Sequence, residues 1–208
     1  MVFKNIAKVA EKRNKNDEYV TPFSMVQQLL DNHDIPKTNI ILEPCCSTHK
    51  TIPTVLYRNG YTDVHCNTYE KEGVGDFFDW TEVVDTIITN IPYGIKNFVR
   101  FMSKMKEIAR HEIICLFPIN YLNGKERYKI YQDINYPLAA VYPFTRFSTL
   151  TSEASVDGRY KGGMTLYAWF VFRRGYVGDC IMKQINNDAY IIADIRGGYK
   201  NVTTSVEN

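Results

Sequence analysis

Val84-Asp85-Thr86-Ile87-Ile88-Thr89-Asn90-Ile91-Pro92-Tyr93-Gly94 is the stretch that decides the fold. Its first six residues are nearly all β-branched and hold no glycine or proline, which predicts a strand. Ile87 and Ile88 place apolar side chains on opposite faces, as a parallel strand covered by helices on both sides requires. Pro92 then ends the ladder, because proline has no N–H to give it. Residues 96–110 follow with Phe98, Phe101, Met102, Met105 and Ile108 at helical spacing, so a helix is expected there.

The same alternation extends outward in both directions. Upstream, Thr21-Pro22 reads as a hydroxyl cap followed by proline at the first helical position, opening a helix to about Asn32. Asn39 to Glu43 reads as a strand stopped by Pro44, residues 51–59 as a short helix ended by Gly60, and Asp63 to Thr68 as a second strand. Downstream, Glu112 to Phe117 is a buried-type strand, 124–134 a helix, 138–142 a strand, and Met164 to Phe172 an aromatic β-prone segment. Apolar strands alternating with helices give an α/β domain with a mostly parallel sheet. No strong helix separates the last two strands, so they are expected to pair antiparallel at one edge. In such sheets ligands gather beyond the carboxyl ends of the strands. That directs attention to residues 43–50, 68–76, 90–94 and 118–124.

The 208 residues suit one domain with a sizeable core. Residues 1–16 are Lys-rich and lack the apolar core of a signal peptide, and no apolar run reaches the ~20 residues of a membrane span. The five cysteines include no Cys-x-x-Cys pair, which argues against a structural zinc site and for reduced thiols. These features together predict a cytoplasmic protein. A net charge of +2 says little, but Lys4, Lys8, Lys12, Arg13 and Lys15 crowd the start, and Arg146, Arg159, Lys161, Arg173 and Arg174 mark the last third. Such groups can meet phosphates, although a solvated surface reads the same way.

The residues after the central strand suggest a chemistry. An amine attached to a purine ring is a poor nucleophile, because its lone pair is delocalised into the ring. Two acceptors can hold its hydrogens and draw the nitrogen toward a tetrahedral shape. Asn90 offers a side-chain oxygen and Pro92 a backbone carbonyl, while Tyr93 offers a ring on which an extruded base can stack. Alone, the four residues equally describe a proline turn closing a strand.

Strand plus Asn90-Ile91-Pro92-Tyr93 resembles the catalytic motif of amino-methyltransferases, usually Asp/Asn-Pro-Pro-Tyr/Phe, and is also similar to that of the rRNA adenine dimethyltransferases. Leu42-Glu43-Pro44-Cys45-Cys46-Ser47 resembles the cofactor loop of DNA adenine methyltransferases, and Asp17-Glu18-Tyr19-Val20-Thr21-Pro22 resembles their Tyr-x-Thr-Pro segment. Gly75-Asp76-Phe77-Phe78 looks like the segment near the cofactor adenine. Pro118 to Gly124 and Leu166 to Phe172 resemble late segments of short phage and plasmid adenine methyltransferases. The resemblance runs from about residue 17 to 178, in the family's order.

It implies a single Rossmann-like methyltransferase domain over 17–178, with a mostly parallel seven-stranded sheet, an antiparallel edge strand and helices on both faces. It implies S-adenosylmethionine as cofactor, with Tyr19, Thr21, Pro22, Glu43, Pro44, Cys45, Asp76, Phe77 and Asn90 lining its site. Glu70, after the second strand, is placed to accept the ribose hydroxyls. Asn90, Pro92 and Tyr93 are the expected catalytic residues, and the substrate is the N6 amine of adenine in duplex DNA, presented flipped out. An rRNA or tRNA substrate, a non-catalytic partner subunit, and nucleotidyl transfer remain as alternatives. The last normally wants a Gly-rich phosphate loop or paired acids, and neither is visible. Residues 144–163 would form a small recognition loop, with Arg146, Arg159 and Lys161 on nucleic acid. A loop this small suits a short target site, a homodimer or loose specificity. Residues 179–208 form a C-terminal segment.

One departure matters. The first-strand loop, Cys45-Cys46-Ser47-Thr48-His49-Lys50, contains no glycine where the family has it for close backbone approach to the cofactor. Its absence argues for a remodelled loop, weaker cofactor binding or a protein that has lost activity. His49 reads as a solvated loop histidine.

Overall fold

The computed structural model describes residues 20–47, 49–68, 75–145 and 165–186. Residues 1–16, most of the 144–163 loop and residues 187–208 therefore lie outside the described chain.

The elements follow in the order α1 (Phe23–Asn32), β1 (Ile41–Glu43), α2 (Thr51–Arg58), β2 (Val64–Cys66), β3 (Val84–Thr89), α3 (Ile95–Ile108), β4 (Ala109–Pro118), α4 (Lys125–Tyr131), β5 (Leu138–Pro143), β6 (Tyr167–Arg173) and β7 (Ile181–Met182). Single 3-10 turns occupy Phe77–Asp79 and Ile119–Leu122. One seven-stranded sheet runs in the order β2-β1-β3-β4-β6-β5-β7. All neighbours are parallel except β4·β6 and β5·β6. The expected antiparallel strand is thus β6, but it lies third from the β7 rim rather than at the edge. Tyr167 to Arg173 is apolar on both faces, and burial between two neighbours suits it better than a solvent-facing rim. The seventh strand, β7, comes from the C-terminal segment and extends the sheet beyond β5.

Alternation along the strands feeds two cores. Ile87, Ile113, Cys115, Phe117, Phe170 and Phe172 face α3 and α4. Ile88, Ile114, Leu116, Trp169 and Val171 face α1 and α2. This period of two, with both faces apolar, is why the strands read as continuous apolar runs.

Helix α1 begins one residue later than expected at the level of chemistry. Pro22 stands in the capping position, in an extended conformation, and no side chain caps the helix. Thr21 is not the cap; its hydroxyl is turned elsewhere. The helix is pinned at both ends instead. Trp169 Nε1 donates to the Met25 carbonyl at 2.9 Å. His33, just past the last turn, lies 3.1 Å from both Tyr142 Oη and Glu112 Oε2.

The strand order reverses between β1 and β3: β1 leads outward to β2, while β3 leads the other way to β4. A crevice at the carboxyl ends is expected at such a switch point.

Candidate active site

A cleft open to solvent lies at that switch point, lined by Thr21, Glu43, Cys45, Ser47, Thr51, Ile52 and Asn90. Three elements supply it: the end of β1 and its loop, the start of α2, and the residue after β3, with Thr21 added from the approach to α1. Four sequence-derived residues, Thr21, Glu43, Cys45 and Asn90, thus meet in one cavity.

Asn90 is held at both amide atoms. Its Nδ2 donates to Thr21 Oγ1 at 3.2 Å, and its Oδ1 accepts from the Tyr93 hydroxyl at 2.7 Å. Tyr93 is half-buried, with its ring stacked beside Tyr167 (6.2 Å between centroids) and edge-on to Tyr121 (6.0 Å). Ile91 turns into the core, and Pro92 stays half-exposed beside the cleft. Gly94 takes φ 129°, a left-handed value that favours glycine, and its N–H donates to the Tyr121 hydroxyl at 2.8 Å. Tyr121, itself stacked on Phe117 at 4.7 Å with the Arg127 guanidinium 4.0 Å above it, therefore holds the turn from behind.

The opposite wall is less complete. Glu43 is buried, and burial raises its pKa well above the ordinary carboxylate value, with the Cys66 thiol adding and the Thr89 hydroxyl (3.5 Å) opposing. Burial likewise pushes the Cys45 thiol up, so it lines the cleft as a neutral group. Thr51 opens α2; its Oγ1 is buried in the cleft wall and has no hydrogen-bond partner. Among the described residues no side chain caps this helix. Lys50 precedes it at φ 47°, the left-handed region, and is the one non-glycine residue with positive φ among the described residues. The remodelled loop thus keeps a conformation glycine adopts freely and fills it with lysine.

The other predicted residues are placed differently. Pro22 and Pro44 are buried beside the cleft, and the Pro44 carbonyl accepts from Asn67 Nδ2 at 3.4 Å. Asp76 is exposed and accepts from Phe78 N at 3.1 Å, capping the 3-10 turn. Phe77 is in the core, stacked on Phe101 at 5.6 Å, and does not line the cleft. Tyr19, Glu70, Arg146, Arg159 and Lys161 lie outside the described residues. Thr51 was not singled out from sequence; Ser47, Tyr121 and Tyr167 fall in segments quoted for their resemblance but were given no role. Thr51 carries a weak signal, a hydroxyl at a helix start opposite a strand end; what brings the two tyrosines to Tyr93 is long-range packing, which no local pattern reports.

No protein-family description matches the sequence, and no curated protein is significantly similar to it. The fold has relatives among solved structures. A Listeria monocytogenes protein described as a class I S-adenosylmethionine-dependent methyltransferase superposes with a TM-score of 0.61 at 15% identity, over 93% of this chain and 75% of that one. A Pyrococcus horikoshii protein described as an RNA methyltransferase gives 0.57 at 15% identity, over 84% and 100%. A Vibrio vulnificus protein described as the modification subunit of a type I restriction enzyme gives 0.55 at 13% identity, over 97% of this chain and 57% of that one. The fold is therefore the Rossmann-like fold of class I methyltransferases.

Proposed function

We propose that this chain is an S-adenosylmethionine-dependent methyltransferase acting on the N6 amine of adenine in DNA. The observation that carries the reading is the meeting of Asn90, Thr21 and Glu43 in one cleft at the switch point of the sheet. The cleft suits the amino-acid end of the cofactor. The orphaned Thr51 hydroxyl and the uncapped start of α2 offer donors for a carboxylate, with Ser47 beside them. Glu43 and Thr21 line the opposite side. Tyr19, Glu70 and Asp76 are proposed to serve the nucleoside end, as the resemblance implies.

The bound cofactor would supply an already activated methyl on a sulfonium, so the protein's work is alignment and dipole orientation. Asn90 Oδ1 accepts one hydrogen of the target amine, and the Pro92 carbonyl accepts the other. The Tyr93 ring then stacks on the extruded base. Arg146, Arg159 and Lys161 are proposed to meet the phosphates. The fold likeness to a restriction-modification subunit supports a DNA substrate; a homodimer or partner subunit would enlarge the short recognition loop.

A second reading is an RNA adenine methyltransferase, favoured by Asn-Ile-Pro-Tyr and by the fold likeness to the Pyrococcus protein. Incubation with labelled cofactor and either duplex DNA or total RNA, followed by nucleoside mass spectrometry, decides between them. N6-methyladenine in the DNA sample is expected. Label in RNA alone would select the second reading, and label in neither would leave a binding module.

A further inference from the structure

Thr21 stands where a helix cap was expected, yet it caps nothing. It is buried, 5% exposed, and its hydroxyl meets the Asn90 amide nitrogen at 3.2 Å across 69 residues of chain. The other end of that amide meets Tyr93. An asparagine without such partners samples several side-chain torsions, and its two amide ends have opposite polarity: one donates, the other accepts. Only the accepting end can hold an amine.

The carrier of Thr21 is unusually well fixed. Pro22 follows it with φ −60°, the value its ring imposes. Helix α1 then joins β6 through Trp169 and the Met25 carbonyl, and joins β4 and β5 through His33, Glu112 and Tyr142. Arg173, from β6, reaches the same Glu112 oxygen at 3.3 Å. The position of the Thr21 hydroxyl is therefore set by three strands of the sheet, not by a loose approach segment.

We propose that Thr21 is a positioning residue for methyl transfer: by taking the amide nitrogen of Asn90, it holds the amide oxygen toward the target amine. The proposal rests on the methyltransferase reading above. It gives Thr21 a task distinct from lining the cofactor cleft. The methyl group of threonine has no part in it, and serine at this position should do as well.

The test compares the parent with Thr21→Val, Thr21→Ser, Asn90→Ala and the Thr21→Val/Asn90→Ala double variant. Single-turnover methylation of duplex DNA and calorimetry with S-adenosylhomocysteine are run on each. Thr21→Val should slow transfer about 10–100-fold, the scale of a misplaced reacting group. Its cofactor-product affinity should stay within about threefold, since the lost contact is to Asn90. Thr21→Ser should restore the rate, and the double variant should be no slower than Asn90→Ala alone, as for two residues acting through one contact. In parallel, nitrogen-labelled protein without ligand should show a shifted, exchange-slowed Asn90 side-chain amide signal that is lost in Thr21→Val and kept in Thr21→Ser. A parent rate in Thr21→Val, a loss explained by cofactor affinity, failure of serine to rescue, or an unchanged amide signal would each overturn the role. If the parent methylates neither DNA nor RNA, the methyltransferase reading falls and the amide signal still decides whether Thr21 orients Asn90.

Discussion

Across the cleft, the two walls treat their polar groups differently. On the β3 side the Asn90 amide is engaged at both ends and Gly94 is held by Tyr121. On the β1 side the Thr51 hydroxyl is buried without a partner, α2 starts uncapped and Lys50 sits in a left-handed conformation. A buried unsatisfied hydroxyl costs about 1–3 kcal/mol, and a ligand that supplies the missing partner recovers that cost on binding. A satisfied amide is already in place before any ligand arrives. The comparison teaches that the β3 wall is set in advance, whereas the β1 wall keeps a polar group for a ligand to complete.

Substitutions can break this contrast. The largest effect belongs to Asn90→Ala. If its oxygen holds the amine as the methyl arrives, single-turnover rate should fall by roughly 10²-fold or more, with affinity for S-adenosylhomocysteine little changed. Folded Asn90→Ala protein working at the parent rate would remove Asn90 from the chemistry. Next comes Tyr93→Ala, which should weaken productive DNA binding by about 1–3 kcal/mol as well as the rate. Tyr93→Phe keeps the ring and frees Asn90 Oδ1, so it should retain most activity; a loss as deep as that of alanine would mean the hydroxyl, not the ring, is what matters.

The β1 wall should respond in the opposite sense. Thr51→Val removes a group that has no partner in the unliganded protein. Its melting temperature without ligand should hold or rise, while affinity for S-adenosylhomocysteine falls by about 1–3 kcal/mol. Calorimetry showing full affinity would take Thr51 out of the site. Glu43 gives the smallest effect, and it is read against pH. Its folded pKa is raised, chiefly by burial, so the ionised form is disfavoured in the folded state relative to the unfolded one. That penalty is absent below the unfolded carboxylate value, grows as pH rises past it, and levels off above the folded value. Glu43→Gln should flatten this fall in unliganded stability. A pH dependence identical to the parent's would mean Glu43 is not strained there.

What could be read from the sequence follows a physical divide. The β3 strand, Glu43 at the end of β1 and Asn90 at the end of β3 were legible, because strand patterning and strand-end position are local properties. Thr21 was read both as a lining residue of the cofactor pocket and as a helix cap; it does line the cleft, and only the cap reading fails. The local rule favoured a helix cap, and the real partner lies 69 residues away. Phe77 was read with its neighbour Asp76 as part of the site, but its stacking on Phe101 of α3 puts it in the core. The antiparallel strand was recognised, yet its seat between β4 and β5 was not, since periodicity reports which faces are buried and not which neighbours bury them. Two exposed residues make up β7, too few to show any pattern.

The seat of β6 also bears on how the chain is made. Among the described residues strand β5 pairs with β6 and β7 alone, and both are synthesised after it. While residues 138–143, Leu-Ala-Ala-Val-Tyr-Pro, leave the ribosome, neither side of this apolar strand has its neighbour, and the outer edge of β4 is open as well. At ordinary elongation speeds that interval lasts roughly one to several seconds. Exposed apolar edges are templates for pairing with other chains. A chain stopped between residues 144 and 166 should therefore aggregate instead of forming a smaller version of the fold, and the nascent protein is most in need of a chaperone just before Tyr167 emerges.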